Sequence, residues 1–182
     1  MVLLFPLILG VATFIRCVSG GPAFFTQQRL GLAGKPFHIW KFRTMRVGAV
    51  DESHRDYVKT LAADSPAAKP EYVSRLIPGG ASLRRWSLDE LPQLWNVLRG
   101  EMSLVGPRPD VLCLEDYVNE FELRRFAVLP GMTGLWQVSG KNKLSFNQMI
   151  ALDIRYVEEM SLLMDIWILF RTASVLVREA NS

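Results

Sequence analysis

Residues 83–110, LRRWSLDELPQLWNVLRGEMSLVGPRPD, combine an amphipathic segment with a concentration of charge. Leucine and tryptophan recur at helical spacing from Leu88 to Leu98, which predicts a helix with Ser87 as its N-cap. Gly100 follows, and glycine commonly ends a helix in a left-handed conformation. We therefore predict one helix between Ser87 and Gly100.

Two adjacent carboxylates, Asp89 and Glu90, fall in the first turn of this predicted helix, with arginines on both sides. These arginines are Arg84, Arg85 and Arg108, the last between two prolines. Ser87 and Glu90 also have the spacing of a capping box, in which Glu90 would only accept a backbone N–H. The alternative is a site for an anion and a metal ion together. The clustered arginines favour this second interpretation because capping does not require them.

Residues 23–45 predict two strands around a turn between Gly31 and Gly34. A two-residue period along the second strand places Lys41 and Arg43 on the same side. Two cations on one side are suited to hold a diphosphate. They are equally suited to form a solvated basic edge that hinders aggregation, and both interpretations stay open.

The first fifteen residues, MVLLFPLILGVATFI, carry no charge, and Arg16 follows them. As a helix they would span about 22 Å, short of a hydrocarbon core of about 30 Å, and Pro6 is expected to break or kink them. A buried core helix, a re-entrant membrane segment and the tail of a longer span all fit this pattern. We expect a membrane-associated, re-entrant helix over residues 1–20, with truncation of its start left open, and a cytosolic catalytic domain over residues 21–182.

The remaining chain predicts mostly helices, separated by a polar, alanine-rich excursion at residues 47–78 that contains a short helix near 51–62. Further helices are expected at residues 111–128, 145–160 and 162–177, with glycine turns at 130–140. In the helix at 145–160, which Ser145 caps, apolar residues such as Ile150 and Ile154 form the buried stripe, and Asp153 and Tyr156 lie on another side. The last helix has a broad apolar face that either packs against the domain or lies in a membrane interface, with Asp165 and Thr172 on its polar side.

Composition narrows the class of protein without choosing a function. The chain has 182 residues, 49% of them hydrophobic, with a mean hydropathy of +0.15, which fits one domain. Two cysteines cannot form a disulfide framework. The net charge of +3 suits anionic lipid, nucleotide phosphate or nucleic acid equally. The fold class that we predict is α+β and mostly helical, with a re-entrant or membrane helix, a small β-hairpin and amphipathic helices around a compact catalytic domain.

Three motifs in a fixed order resemble one family. They are KFRTM at 41–45, SLDELPQLWNVLRGEMSLVGPRPD at 87–110 and PGMTGLWQVSG at 130–140, behind an apolar segment and a GGPAFFTQQRLG hairpin. This set resembles the bacterial sugar transferases, the monotopic polyprenyl-phosphate phosphoglycosyl transferases, over essentially the whole chain. The resemblance implies transfer of a sugar 1-phosphate from a UDP-sugar to undecaprenyl phosphate, with release of UMP, in the first step of surface polysaccharide synthesis. It also implies Mg²⁺ and a covalent phosphosugar–enzyme intermediate.

The same resemblance assigns roles by position. Asp89 would be the nucleophile, Glu90 the metal ligand, and Phe5–Pro6 the break in a re-entrant helix. The substrate phosphates would be bound by Lys41, Arg84 and Arg108. We add Arg43, which the period places on the same side of its strand as Lys41, and Arg85, which is next to Arg84.

Further expectations follow from the same assignment. The protein would act at the cytoplasmic face of the bacterial inner membrane, monotopic or N-terminally anchored, with membrane lipid and no nucleic acid among its partners; homo-oligomerisation is left open. Two competing hypotheses are a membrane-tethered basic scaffold without enzymatic activity and an inactive, truncated member of the family. The identity of the sugar cannot be read from these residues.

Overall fold

The computed structural model describes residues 4–46, 75–109, 120–140 and 144–180. Its helices are α1 (Phe5–Ser19), α2 (Gly80–Arg85), α3 (Gln93–Leu98), α4 (Glu120–Leu123), α5 (Leu135–Ser139), α6 (Phe146–Glu159) and α7 (Leu162–Ala180). Its strands are β1 (Phe24–Leu30), β2 (Pro36–Phe42), β3 (Ser103–Val105) and β4 (Gly131–Thr133). This confirms the α+β, mostly helical class. The predicted helix near 51–62 and the start of the one at 111–128 lie outside the described residues.

The predicted hairpin is confirmed, and a second small sheet accompanies it. Strands β1 and β2 are antiparallel, and their register pairs Phe25 with Lys41. Strands β3 and β4 are parallel, where only turns were predicted after Pro130. This pairing depends on Gly131, because a Cβ atom there would lie 2.1 Å from the Gly106 backbone nitrogen. Glycine at position 131 therefore allows the two backbones to approach closely, and it is not there to form a turn.

Helix α1 begins at Phe5, so Pro6 lies in its first turn and does not break it. Proline is tolerated there because its missing N–H would have no partner within the helix. The described helix begins at the predicted break, so the interruption of a longer apolar helix at Phe5–Pro6 stays a prediction. Val11 and Ile15 of α1 pack with Phe42 in one core cluster. Among the described helices, none is long and apolar enough to cross a bilayer.

The continuous helix predicted from Ser87 to Gly100 is wrong in its first half. Ser87 is left-handed, with φ of 51°, and its side chain caps nothing. Leu88–Glu90 forms a single 3-10 turn, and α3 begins only after Pro92. The predicted end of the helix is confirmed, since Gly100 has a φ of 71°.

Helix α6 starts as predicted and buries more of its surface than the predicted stripe. Ser145 accepts a hydrogen bond from the Gln148 backbone, and the Gln148 side chain completes a capping box. Ile150 and Ile154 are buried as expected, yet Asp153 and Tyr156 are buried too. Their burial was not predicted; each has a polar partner inside the protein, which offsets the cost of burial.

Helix α7 packs through Ile168 and its polar side and leaves its apolar face exposed. The Tyr156 hydroxyl donates a 2.8 Å hydrogen bond to Asp165, and the hydroxyls of Thr133 and Thr172 lie 2.7 Å apart. The most exposed apolar side chains of α7 are Leu162 (76%), Leu163 (79%) and Phe170 (74%). Of the two interpretations of this face, packing against the domain is therefore wrong for these residues.

Asn96 joins α3 to the hairpin from a fully buried position. Its carbonyl oxygen accepts a 3.0 Å hydrogen bond from the Trp40 backbone, and its amide donates a 2.7 Å bond to the His38 carbonyl. The amide also donates to Glu101. One side chain thus satisfies backbone groups on the strand that carries Lys41.

Replacing this amide should destabilise the protein measurably. Asn96→Ala is expected to lower the free energy of unfolding by roughly 2–4 kcal/mol, because the Trp40 N–H and the His38 carbonyl lose their partner in the interior. Urea unfolding followed by tryptophan fluorescence measures the change. The control is Asn147→Ala on the exposed side of α6, which should stay within about 0.5 kcal/mol; equal losses in both variants would contradict the role given to Asn96.

Candidate active site

Three segments meet at the carboxylate of Glu90. Its Oε1 atom accepts a 2.9 Å hydrogen bond from Nζ of Lys41 and another of 2.9 Å from Nη2 of Arg108. Lys41 comes from β2, Glu90 from the 3-10 turn and Arg108 from the loop after β3. Ser87 makes no capping bond, so the capping-box interpretation is wrong and the interpretation as a charged cluster is favoured.

The charges in this cluster stabilise one another. Burial by itself raises the pKa of the Glu90 carboxyl, but the charges of Arg108 and Lys41 and the hydrogen bonds that they donate lower it well below its usual range. Burial lowers the pKa of the Lys41 ammonium, against the opposing charge of Glu90. Glu90 is therefore held as a carboxylate between two cations.

Asp89 occupies a different environment next to Glu90. Burial raises the pKa of its carboxyl, and the negative charge of Glu90 raises it further. Lys41, Arg84 and Arg108 oppose this rise without cancelling it. No residue in the described part of the chain donates a hydrogen bond to this carboxylate. Asp89 thus lies half-buried near three cations, with its oxygens available to react.

The two neighbouring arginines of α2 differ in their surroundings. The Nε atom of Arg84 donates a 2.8 Å hydrogen bond to the Thr44 hydroxyl, and its charge acts on Asp89. Both arginines are exposed, but Arg85 is absent from the charges that act on Asp89. The structure therefore brings the charge of Arg84, and not that of Arg85, to the candidate site.

Arg43 lies elsewhere, at the junction between α1 and the hairpin. Its Nε atom donates a 2.6 Å hydrogen bond to the Pro22 carbonyl, and its Nη2 atom donates a 2.5 Å bond to the Ser19 hydroxyl. The residue is 7% exposed. The structure does not bring Arg43 to the Glu90 cluster, because its guanidinium is used to fix the end of α1.

Arg29 is a cation near the site that our sequence analysis missed. It lies on β1 on the same side of the hairpin as Lys41, as the register of the two strands requires, and its charge helps to lower the pKa of the Lys41 ammonium. Its Nη1 atom lies 3.5 Å from the Pro109 carbonyl oxygen. Applying the two-residue period to both strands would have found it.

The donor set for a metal ion is small. The described residues contain no group of three or more His, Cys, Asp and Glu that could hold an ion. Both cations of the cluster bind Oε1 of Glu90, so Oε2 stays available. Mg²⁺ is commonly held by one or two carboxylates together with substrate phosphates and water. Asp89 and Glu90 fit a site of that kind, in which a diphosphate completes the coordination.

The chain is similar to sugar transferases over nearly its whole length. A family model described as bacterial sugar transferase matches residues 1–179. The undecaprenyl-phosphate galactose phosphotransferase of Salmonella typhimurium is 44% identical over 169 residues, which cover 88% of this chain and 34% of that protein. The exopolysaccharide production protein ExoY of Sinorhizobium fredii is 42% identical over 94% of this chain and 77% of its own.

A further relative names a different sugar. The UDP-glucose:undecaprenyl-phosphate glucose-1-phosphate transferase of Xanthomonas campestris is 40% identical over 93% of this chain and 34% of that protein. The chain thus spans about a third of the length of the Salmonella and Xanthomonas relatives.

The contrast between Arg84 and Arg85 can be tested with inorganic pyrophosphate as the probe. Arg84→Gln should weaken its binding about tenfold, because an anchored cation near Asp89 is lost. Arg85→Gln removes the same charge from the adjacent residue and should change binding by less than about twofold. Isothermal titration calorimetry measures both constants. An equal effect of the two substitutions would show that general charge, rather than the placement of Arg84, determines binding.

Proposed function

This chain belongs to the bacterial sugar transferase family, and on that basis we propose that it transfers a sugar 1-phosphate from a UDP-sugar to undecaprenyl phosphate and releases UMP. The observation that carries the proposal is the Asp89 carboxylate beside the cation-bound Glu90. Two relatives support it: the Salmonella protein is named for undecaprenyl phosphate and galactose phosphotransfer, and the Xanthomonas protein for UDP-glucose, undecaprenyl phosphate and glucose 1-phosphate.

Charge repulsion is the obstacle to this reaction. The lipid phosphate and the nucleotide diphosphate are both anionic, so direct attack of one on the other brings like charges together. A carboxylate nucleophile divides the transfer into two displacements. The nearby cations can neutralise charge on the phosphoryl oxygens in each of them, as in other phosphoryl transfers.

In the first displacement, Asp89 attacks the phosphorus that carries the sugar. A bond forms between a carboxylate oxygen and that phosphorus, and the bond from phosphorus to the oxygen bridging to the nucleotide breaks. UMP leaves with the electron pair, so no proton has to be supplied. Arg84, Lys41 and Arg108 surround Asp89 with positive charge, which favours both the approach of the diphosphate and the departure of UMP.

In the second displacement, an oxygen of undecaprenyl phosphate attacks the same phosphorus. The bond to Asp89 breaks, the carboxylate is restored, and the sugar is left on a lipid diphosphate. Glu90 would hold Mg²⁺ through the oxygen that Lys41 and Arg108 leave available. When bound, the ion would supply additional positive charge to the phosphate oxygens.

A hydrophobic acceptor requires the site to lie near a membrane. The exposed apolar side chains of α1 and α7 support such a location, among them Phe5, Leu7, Leu163 and Phe170. Apolar side chains with Trp167 beside them suit the interfacial region of a bilayer. We therefore place the protein at the cytoplasmic face of the inner membrane, where UDP-sugars are available, in the first step of exopolysaccharide or lipopolysaccharide synthesis.

Removing the nucleophile tests the proposal directly. Asp89→Asn should lower UMP release from a UDP-sugar by at least about a thousandfold, because the amide cannot form the ester. The assay uses the chain in detergent with Mg²⁺, undecaprenyl phosphate and a panel of UDP-hexoses and N-acetylated UDP-sugars. Glu159→Gln, which removes an exposed carboxylate of α6, serves as the control and should retain activity.

Omitting the lipid distinguishes two displacements from one. Without undecaprenyl phosphate, the unmodified chain should release UMP in an amount up to one equivalent per active site and gain the mass of a sugar phosphate. Intact-protein mass spectrometry detects the adduct, which should be missing in Asp89→Asn. Turnover that occurs only with lipid present and leaves no adduct would contradict the covalent intermediate, and full activity of Asp89→Asn would contradict the assignment of the nucleophile.

The raised pKa of Asp89 predicts how the rate depends on pH. Only the carboxylate attacks, so UMP release should fall on acidification with a midpoint above the ordinary value for aspartate, about 3.9. Lys41→Gln removes a charge that lowers the pKa of Asp89, so the midpoint should move to higher pH. Single-turnover UMP release across the acidic range measures it. Lys35→Gln, an exposed lysine in the hairpin turn, should leave the midpoint in place; a shift to lower pH in Lys41→Gln would contradict the electrostatic account.

A further inference from the structure

The backbone of the segment Pro107–Pro109 is held at each of its three carbonyl groups. The Pro107 oxygen accepts a 2.8 Å hydrogen bond from the Gly131 backbone. The Arg108 oxygen accepts a 2.9 Å bond from Nη2 of Arg125, and Nη1 of Arg29 lies 3.5 Å from the Pro109 oxygen. Proline at both ends already restricts the backbone of this segment. Its position is therefore determined by several independent contacts.

The contact from Arg125 depends on a second buried charge. The same Nη2 atom donates a 2.6 Å hydrogen bond to Oδ2 of Asp153, and the two side chains are 4% and 1% exposed. Removing two charges from water costs about as much as their attraction returns, and apolar pairs of similar volume often stabilise a protein equally well. Stability alone is thus a weak explanation for a charged pair at this position. A charged pair also fixes the positions of the groups that it hydrogen-bonds, which apolar side chains cannot do.

Arg108 links this pair to the candidate active site. Its backbone oxygen contacts Arg125, and its guanidinium donates the 2.9 Å hydrogen bond to Glu90. A continuous chain of contacts thus runs from Asp153 on α6, through Arg125 and Arg108, to Glu90. We infer that Asp153 and Arg125 are positioning residues, which hold Arg108 where it can contact Glu90 and the substrate phosphate; this rests on the function proposed above.

The variant that tests the inference is Asp153→Asn, which keeps the shape of the side chain and removes its charge. UMP release should slow about a hundredfold through a lower kcat, since a misplaced cation costs far more in rate than in substrate binding. The control is Glu158→Gln on the same helix, which breaks the exposed ion pair with Arg124. Its rate should stay within about twofold of the unmodified chain.

A double variant shows whether Asp153 acts through Arg108. Residues that act through one another give losses that do not multiply. Arg108→Gln/Asp153→Asn should therefore be no more than about twofold slower than Arg108→Gln alone.

The pair Arg125→Met/Asp153→Leu fills the same space with apolar side chains. It should keep the melting temperature of the unmodified chain while UMP release slows. This second pair keeps the test decisive if Asp153→Asn does not fold.

The possible failures can be told apart. If Asp153→Asn and the Met/Leu pair both retain full UMP release while Arg108→Gln is slow, the positioning role is wrong and the proposed function stands. Losses that multiply in the double variant would likewise overturn a role through Arg108. If Asp89→Asn and Arg108→Gln are both fully active, the proposed function itself fails.

Discussion

The sharing of one carboxylate oxygen by two cations is the contact on which the arrangement of the site depends. Oε1 of Glu90 joins Lys41 of the hairpin to Arg108 of the loop after β3, segments that are distant in sequence. Because the cluster is largely buried, water screens these charges less than it would at the surface. Glu90 therefore organises the cations, and they surround the neighbouring carboxylate with positive charge.

Adjacent carboxylates with opposite shifts in pKa are a recurring means of dividing chemical roles. In this protein the two opposite shifts follow from the different contacts of Glu90 and Asp89. Glu90 has two hydrogen-bonded cations, which stabilise its charge, whereas burial dominates at Asp89 and raises the pKa of its carboxyl. The same 3-10 turn thus carries one carboxylate whose charge two hydrogen-bonded cations stabilise and a neighbouring carboxylate whose charge is less stabilised.

Local signals in the sequence predicted what local interactions determine. The hairpin, the cap at Ser145, the end of α3 at Gly100 and the charged pair Asp89–Glu90 were all predicted from spacing and residue type. Contacts between distant segments were not. The left-handed Ser87, the parallel pairing of β3 with β4 and the burial of Asp153 beside Arg125 depend on partners that no local pattern reveals. The predicted metal role of Glu90 and the phosphate-binding roles of the cations stay predictions.

Arg43, which was predicted to bind phosphate, instead connects two elements of the fold. By holding Ser19 and Pro22, its buried guanidinium ties the end of α1 to the backbone two residues beyond Lys41. The orientation of α1 is therefore coupled to that of the strand that carries Lys41. A change in the tilt of α1 would therefore be transmitted through Arg43 to the strand that carries Lys41 and so to the charged cluster.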